Sequence, residues 1–556
     1  MELQETTLRN TNTICDASDT GVQKDKHQKK TDMLSSDMET NTNHGSTEEM
    51  TMLKIDDFLR MVGEFGPFQW ILELWCIFLY IAPVSQIYIM YFTTPEPPAW
   101  RCVNGSSLCN LNGTQPSDNN YRCEIPRSQW EYVQGEGVST VTVDYDLVCD
   151  SKWLISMTSS IFYFGKLFGT FCAGWLADNY GRKTVLYPSN LLLLSASLLT
   201  TLMPNIWSFL VCRFIAGFAT DATTNQALLL LSEYVSTKYR PIATNILWMG
   251  WIGTLCLMPL QAYFIKQWKM LFVVAVVPYV IGFLSYFFIP ESVRWLRTKE
   301  RYSDAKSILR RMARWNHKEL DETAGIERPI ISTKRTTPLD LFRRNLVVST
   351  LAQGCLWFVN GLVYYGLSLS ADDLGGSMYL NFVYVSLAEI PSAICAADFS
   401  NRFGRKRTTV VALILAGVFC ISVPYIPLTE AGKPSRLAVG LLGKFFLTLS
   451  FDIITIWSVE LFPTDLRSKG LSFVYMCGNV GSTASPWIAK GLKVFSDEVP
   501  FIVMGVSALV GGAVGLLLEE TNGRDAKDTL NEFLADGVDN KEGKEFLQNH
   551  NANVET

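Results

Sequence analysis

A helix needs roughly 20 mostly apolar residues to cross a hydrocarbon layer about 30 Å thick, and this chain writes about a dozen such blocks. They run near residues 68–92, 153–177, 184–204, 206–231, 241–265, 270–289, 345–369, 377–398, 408–427, 436–460, 469–490 and 499–518. A chain built this way has few folds open to it, because each spanning backbone must satisfy its own hydrogen bonds. The expectation is an all-α membrane protein of twelve transmembrane helices. Residues 1–66 and 519–556 are polar by contrast and read as tails. The N-terminal one lacks the charged-then-apolar pattern of a cleavable signal.

Sidedness follows from the bases in the short loops. Arg182 and Lys183, Lys238 and Arg240, Arg402, Arg405, Lys406 and Arg407, and Arg467 and Lys469 fall on one side, with the basic segment 290–344. The opposite loops are poorer in bases, although Lys266 and Lys269 lie there. Both termini are therefore expected in the cytoplasm, in a multi-pass protein of the plasma membrane.

Residues 93–150, after a first span at 67–92, form the one long loop on the outer side. That loop holds Cys102, Cys109, Cys123 and Cys149, with glycosylation sequons at Asn104 and Asn112. Cysteines beside sequons predict an oxidised, glycosylated segment with two disulfides in one of three connectivities. It also carries eight acids against three arginines, a field that enriches cations at the surface.

The chain repeats itself. GRK at 181–183 returns at 404–406, an offset of 223. SEYVSTKYR at 232–240 is echoed by VELFPTDLR at 459–467, with Glu233 and Glu460 each seven residues before an arginine, Arg240 and Arg467. RFIAGFATD at 213–221 is echoed by KFFLTLSFD at 444–452, a cation eight residues before an acid. PESVRWL at 290 and LEETNG at 518 also correspond. Similar offsets predict two six-helix halves of parallel orientation, the first completed by 151–289 and the second spanning 345–518, joined by a cytoplasmic linker with amphipathic helices at 290–344. Parallel repeats enclosing a midplane site are the build of an alternating-access carrier. The loop motif then serves as a conformational switch: Asp178 caps a neighbouring helix or pairs with Arg182 in one state, Gly181 closes the turn, and Arg405 repeats the arrangement.

Three acids stand well inside spans: Asp221 in the fourth, Glu389 in the eighth and Asp452 in the tenth. Each costs roughly 2.5–3.5 kcal/mol at midspan, so such groups face the bundle interior and mark function. Arg213 and Lys444 precede Asp221 and Asp452 by eight residues, about 12 Å of helical rise and too far for a pair on one straight helix. Glu389 has no base in its own segment SLAEIPSAICA, and Lys166 is free to serve any of the three. In the seventh span, CLWFVNGLVYYG puts Trp357 and Tyr364 seven apart on one face. Such rings usually pack against lipid or core, but beside carboxylates they also attract cations. Asn360 between them completes this face, and Tyr384, Trp248, Trp251, Phe451 and Tyr475 are further candidates.

GEFGPFQ before the first span, CDSKWL before the second, both GRK loops, PESVRWL after the sixth and LFPTDLR before the eleventh together resemble the organic cation, anion and zwitterion transporter family, of solute carrier family 22 type, in the major facilitator superfamily. The resemblance covers about residues 57–525 and implies the major facilitator fold. It further implies that Trp357 and Tyr364 line the substrate cavity. Glu389 matches the acid of cation members, and Ala393 stands where anion members carry lysine. Asn479 departs from the family, standing where cation members have Asp and anion or carnitine-type members Arg, which suits a zwitterion. Asp221 and Asp452 stand where cation members have lysine and glutamine.

Other chemistry is not expected. The four histidines sit in tails or the linker without metal spacing, and no GxxxxGK phosphate loop occurs. The chain reads as no enzyme and as needing no cofactor or metal. RYSDAKSILRRMARWN at 301–316 is a basic amphipathic helix, with Ser303 as its expected N-cap, that rests on anionic lipid or is simply solvated. The expected function is a transporter of small organic cations or zwitterions, such as quaternary amines or carnitine-like molecules, with a proton or sodium as coupling ion. In that reading Glu389 is the primary counterion, Asp221 and Asp452 assist it, and Asn479 orients the substrate. The alternatives are an organic anion or sugar-type carrier and a non-transporting receptor or scaffold.

Overall fold

The computed structural model describes residues 52–95, 99–103, 121–133, 135, 137–321, 323–328, 337–343, 346–463 and 466–523. Cys109, Asn104, Asn112 and most of both tails lie outside them, so those expectations are neither met nor broken.

Among the described residues, twelve long helices follow the apolar blocks: α1 Pro67–Thr93, α2 Trp153–Tyr180, α3 Arg182–Thr200, α4 Ile206–Tyr234, α5 Arg240–Phe264 and α6 Trp268–Leu284, then α7 Val347–Leu369, α8 Met378–Phe403, α9 Arg405–Ser422, α10 Lys433–Leu461, α11 Arg467–Ala489 and α12 Val499–Gly515. Eight of them are long and apolar enough to cross a membrane by themselves. The other four are α2, α3 and α11, diluted by Lys, Ser, Thr, Asn and Gly, and the shorter α12. Polar dilution is expected of helices that face protein rather than lipid. α8 is broken at Ala388, because the ring of Pro391 removes the N–H that would bond the Leu387 carbonyl and leaves Glu389 opening a new helical segment.

Small residues set the closest helix contacts. A Cβ on Gly217 of α4 would stand 1.9 Å from the Phe162 carbonyl of α2, and one on Gly165 of α2 would stand 2.2 Å from that of Phe214. Only glycine permits this approach, which holds the two helices at the level of Lys166 and Asp221. The halves meet where α2 packs on α11 and α5 on α8.

Cys123 and Cys149 form a disulfide, and Cys102 is disulfide-bonded as well. Strands β2 Ala99–Cys102 and β3 Trp130–Val133 pair antiparallel in the same segment. Several of its acids are already paired, Glu131 with Arg101, Asp146 with Arg127 and Asp144 with Lys269, so the acidic field is weaker than the composition implies.

The amphipathic helix runs over Tyr302–Trp315. Its apolar residues Ala305, Leu309, Met312 and Ala313 are buried in the protein. Ser303 lies inside its first turn and does not cap it, the N-cap position being Arg301. Asn316 just beyond it accepts from the Phe68 backbone N–H at 2.9 Å and donates to Gln69 Oε1 at 3.0 Å, fastening the linker to the start of α1. Strand β1 Met52–Leu53 pairs with β4 Gly325–Ile326, and Arg294 holds Asp56 at 2.7 Å, which ties the preceding chain to the same platform.

Candidate functional site

The two GRK loops close in the same way. Gly181 has φ +108° and Gly404 φ +92°, conformations that disfavour side chains, and a Cβ on either would stand 2.3 Å from a carboxylate oxygen. That carboxylate is Glu291 in the first half and Glu520 in the second. Glu291 Oε1 accepts from the Arg182 and Lys183 N–H groups at 2.8 and 3.1 Å; Glu520 accepts from those of Arg405 and Lys406 at 2.8 and 3.1 Å. A carboxylate at a helix N-terminus satisfies orphan donors and complements the dipole. Asp178 therefore pairs with Arg182, at 3.1 Å, but the helix-capping role considered for it belongs to Glu291. Arg182 also reaches Glu233 at 3.4 Å and Arg405 reaches Glu460 at 3.0 Å. Arg240 turns to the Ser232 carbonyl at 3.1 Å, and Arg467 opens α11.

At the opposite end of the bundle the halves meet through rings. Tyr88 and Tyr91 of α1 lie 5.3 and 5.2 Å from Phe382 of α8, Tyr263 lies 5.6 Å from Tyr379, and Trp153 stacks on Trp487 at 6.4 Å. These pairs form an aromatic seal between α1, α2 and α5 on one side and α8 and α11 on the other.

Between the two ends lie the charges. Arg213 does not serve Asp221. It donates to the side-chain and backbone oxygens of Gln86, at 3.1 and 3.0 Å, and lies 4.3 Å from the Phe162 ring centroid. The base for Asp221 comes from α2, with Lys166 Nζ 3.3 Å from Oδ1. Its other oxygen accepts from Thr170 at 2.6 Å and from Asn479 at 3.3 Å, so Asn479 of α11 joins the second half to an acid of the first. Glu389 is also paired, contrary to what its own helix implies. Lys444 Nζ from α10 lies 3.0 Å from its Oε1, and the Tyr364 hydroxyl donates to the same oxygen at 2.7 Å. Lys444 sits 3.3 Å from the Tyr364 ring centroid and bonds Ser368 at 3.0 Å. It turns away from Asp452, eight residues along its own helix.

Asp452 is the exception. It is partly exposed, receives one long hydrogen bond from Ser392 at 3.4 Å, and has no basic partner among the described residues. The repeat explains this. Lys166 stands 15 residues before Gly181 and Glu389 stands 15 residues before Gly404. The position that gives the first half a lysine for Asp221 gives the second half another acid. Glu389 and Asp452 interact electrostatically, and among the described residues Lys444 is the one base paired there. Two ion pairs and the extra carboxylate of Asp452 thus form this cluster among the spans.

The rings expected around these charges are partly in place. Tyr364 packs on Phe451 at 5.5 Å, and Trp357 meets Phe451 at 5.3 Å and Tyr475 at 4.6 Å, donating Nε1 to Ser458 at 2.8 Å. Tyr365, the second tyrosine of the seventh-span segment, links the two ion pairs: its ring lies 5.4 Å from Lys166 Nζ and 5.2 Å from the Tyr364 ring. Asn360 is fully buried and bonds its own helix at Leu356, so it offers no surface to a substrate in this conformation. Trp251 packs edge-on to Trp248, and neither they nor Tyr384 join the cluster. No group of His, Cys, Asp and Glu among the described residues is arranged to hold a metal.

The sequence pattern of the sugar (and other) transporter family matches residues 101–533. Among curated proteins the chain is 31% identical to human solute carrier family 22 member 13, over 79% of this chain and 77% of that one. It is 31% identical to rabbit organic anion transporter 3, over 86% and 94%, and 28% identical to Arabidopsis thaliana organic cation/carnitine transporter 4, over 86% and 90%. The E. coli xylose transporter XylE in an inward-open conformation superposes with a TM-score of 0.58 at 12% identity, over 84% of this chain and 99% of that one.

Proposed function

The chain belongs to the sugar (and other) transporter family, and within the major facilitator superfamily to the solute carrier family 22 type, a family of membrane transporters and not of enzymes; from this we propose that it carries small organic cations or zwitterions across the plasma membrane by alternating access. The observation that carries the charge preference is Asp452, a carboxylate inside a span that lacks a base and lies beside Glu389. Burying an uncompensated acid is costly unless a ligand completes it. The cationic head of a substrate completes it, with Phe451, Tyr364 and Trp357 offering ring faces that contribute about 0.5–2 kcal/mol each when desolvated.

A zwitterion fits the same place in a second way. Its carboxylate takes Lys444, which releases Glu389 to join Asp452 around the ammonium. Asn479, by bridging to Asp221, holds the two halves at the same depth. This division replaces the expectation of Glu389 as the primary counterion: Asp452 receives the substrate, and Glu389 serves it once Lys444 is drawn off. In this reading the seal of Tyr88, Tyr91, Phe382, Tyr379 and Tyr263 closes the extracellular side. The GRK loops with Glu233, Glu291, Glu460 and Glu520 lie in the cytoplasm and hold each half rigid while the two rock.

The test is a tracer panel in proteoliposomes containing the purified protein: tetraethylammonium, carnitine and para-aminohippurate, with voltage and pH varied. The proposal expects uptake of the first or second and none of the third. Uptake of the anion alone supports an anion carrier, and binding without flux supports a receptor.

A further inference from the structure

Glu73 takes no part in the site just described, yet it is the most isolated charge-bearing side chain among the described spans. It lies on α1 with 1% of its surface exposed, and neither carboxylate oxygen has a hydrogen-bond partner. No ion pair among the described residues includes it. Its neighbours on the same helix face are Cys76, which contacts the Ala227 carbonyl of α4 at 3.8 Å, and Tyr80, which donates to the Thr224 carbonyl of α4 at 3.0 Å. Glu73 therefore lies against α4, on the face whose next turns lead through Tyr80 toward Asp221.

Among the described residues, no charged group on the elements packed against α1 pairs with Glu73. On α4, Asp221 holds Lys166, Glu233 holds Arg182, and Arg213 holds Gln86. On α5, Arg240 bonds the Ser232 carbonyl; on α6, Lys269 lies beside Asp144. Arg311 of the linker helix lines a crevice with Phe68, Leu72 and Trp75 and makes no ion pair with Glu73. Titratable hydroxyls nearby are Tyr187 on α3, bonded to Ser285, Tyr234 on α4, bonded to the Glu291 carbonyl, and Tyr279 on α6. An ionised carboxylate so placed is shut off from solvent and has no counter-charge among the described residues, whereas the neutral acid loses far less.

We propose that Glu73 is a proton-binding site of the transport cycle: the carboxyl group holds a proton in the conformation described here and gives it to water when the halves rearrange and α1 is hydrated. The proton comes from water on one side of the membrane and returns to water on the other, so nothing else is consumed. The proposal rests on the transport reading above and supplies its coupling ion. Its place on α1 keeps proton binding apart from the substrate charges at Asp452 and Glu389, which lets the substrate be a cation or a zwitterion without altering the proton step.

The experiment uses the full chain in proteoliposomes with a trapped pH-sensitive dye and a tetraethylammonium or carnitine gradient. Wild type is expected to move protons with the probe. Glu73→Gln, which mimics the neutral acid, is expected to keep probe exchange at roughly the wild-type rate while probe-linked proton movement falls to that of protein-free vesicles. Proton movement unchanged in Glu73→Gln, or probe flux by wild type that follows sodium and not pH, overturns the proposal. If neither probe moves, the transport reading fails, and Glu73 is judged separately by infrared difference spectra of the purified protein. A carboxylic-acid carbonyl band present in wild type, shifted in heavy water and missing in Glu73→Gln supports the site; identical spectra overturn it. Glu73→Asp, which keeps the acid, is expected to retain the band.

Discussion

Lys444 Nζ on α10 lies 3.0 Å from Glu389 Oε1 on α8, with both side chains buried. An ion pair inside a bundle is worth little against an apolar pair of the same shape, but breaking it is expensive because one charge is stranded. Lys444→Met is therefore predicted to cost about 3–5 kcal/mol of stability. The double variant Lys444→Met, Glu389→Gln should recover most of that loss. Thermal unfolding of the detergent-purified proteins checks this, and equal losses in single and double variants would contradict it.

Asn479 offers a second lever, since its Nδ2 lies 3.3 Å from Asp221 Oδ2. Asn479→Arg places a fixed cation beside Asp221 and competes with Lys166. Tetraethylammonium uptake should fall about tenfold, equivalent to about 1.4 kcal/mol, while carnitine uptake falls less. Equal losses for both probes would mean that Asn479 acts on the fold and not on substrate charge.

Much of this architecture is legible in the sequence, for physical reasons that differ by element. Span number follows from hydrocarbon thickness, and the two halves follow from the recurrence of GRK and of an acid eight residues after a cation. The ion pairs are not legible, because pairing is settled between helices. Lys444 stands eight residues before Asp452, too far to pair with it along one helix, and nothing in the chain shows that it reaches Glu389 on α8. Arg213, equally far from Asp221, bonds Gln86 on α1, a contact that the spacing does not show. One signal was available: the offset that relates Gly181 to Gly404 also relates Lys166 to Glu389. It shows that the second half repeats the acid of the first but replaces its base. Glu291 and Glu520 were visible only as rhyming span ends, since capping depends on where the chain returns in space.

Those two glutamates supply a third prediction. Gly181→Ala and Gly404→Ala each place a Cβ 2.3 Å from a carboxylate oxygen at a positive φ, a strain of about 1–3 kcal/mol. Each variant should lower the maximal transport rate with little change in apparent affinity, because the loops lie far from Asp452. Initial-rate measurements over a range of probe concentrations separate the two effects. A loss of affinity alone would contradict a role in the rocking step.

The aromatic seal gives a fourth. Trp153 and Trp487 stack across the halves at 6.4 Å. The pair Trp153→Cys, Trp487→Cys joined by a reducible bifunctional thiol reagent should stop transport, and reductant should restore it, with neither single variant affected. Full transport by the cross-linked protein would mean that α2 and α11 do not separate at this end.

The central claim is that a carboxylate without a base, Asp452, receives the positive charge of the substrate. Initial uptake of tetraethylammonium and carnitine by Asp452→Asn in proteoliposomes tests it most directly, alongside wild type and with folding verified by thermal unfolding. The account predicts uptake of both reduced by about tenfold or more, a loss of at least about 1.4 kcal/mol of binding, in a protein as stable as wild type. Uptake at the wild-type rate and affinity by a folded Asp452→Asn variant would contradict it.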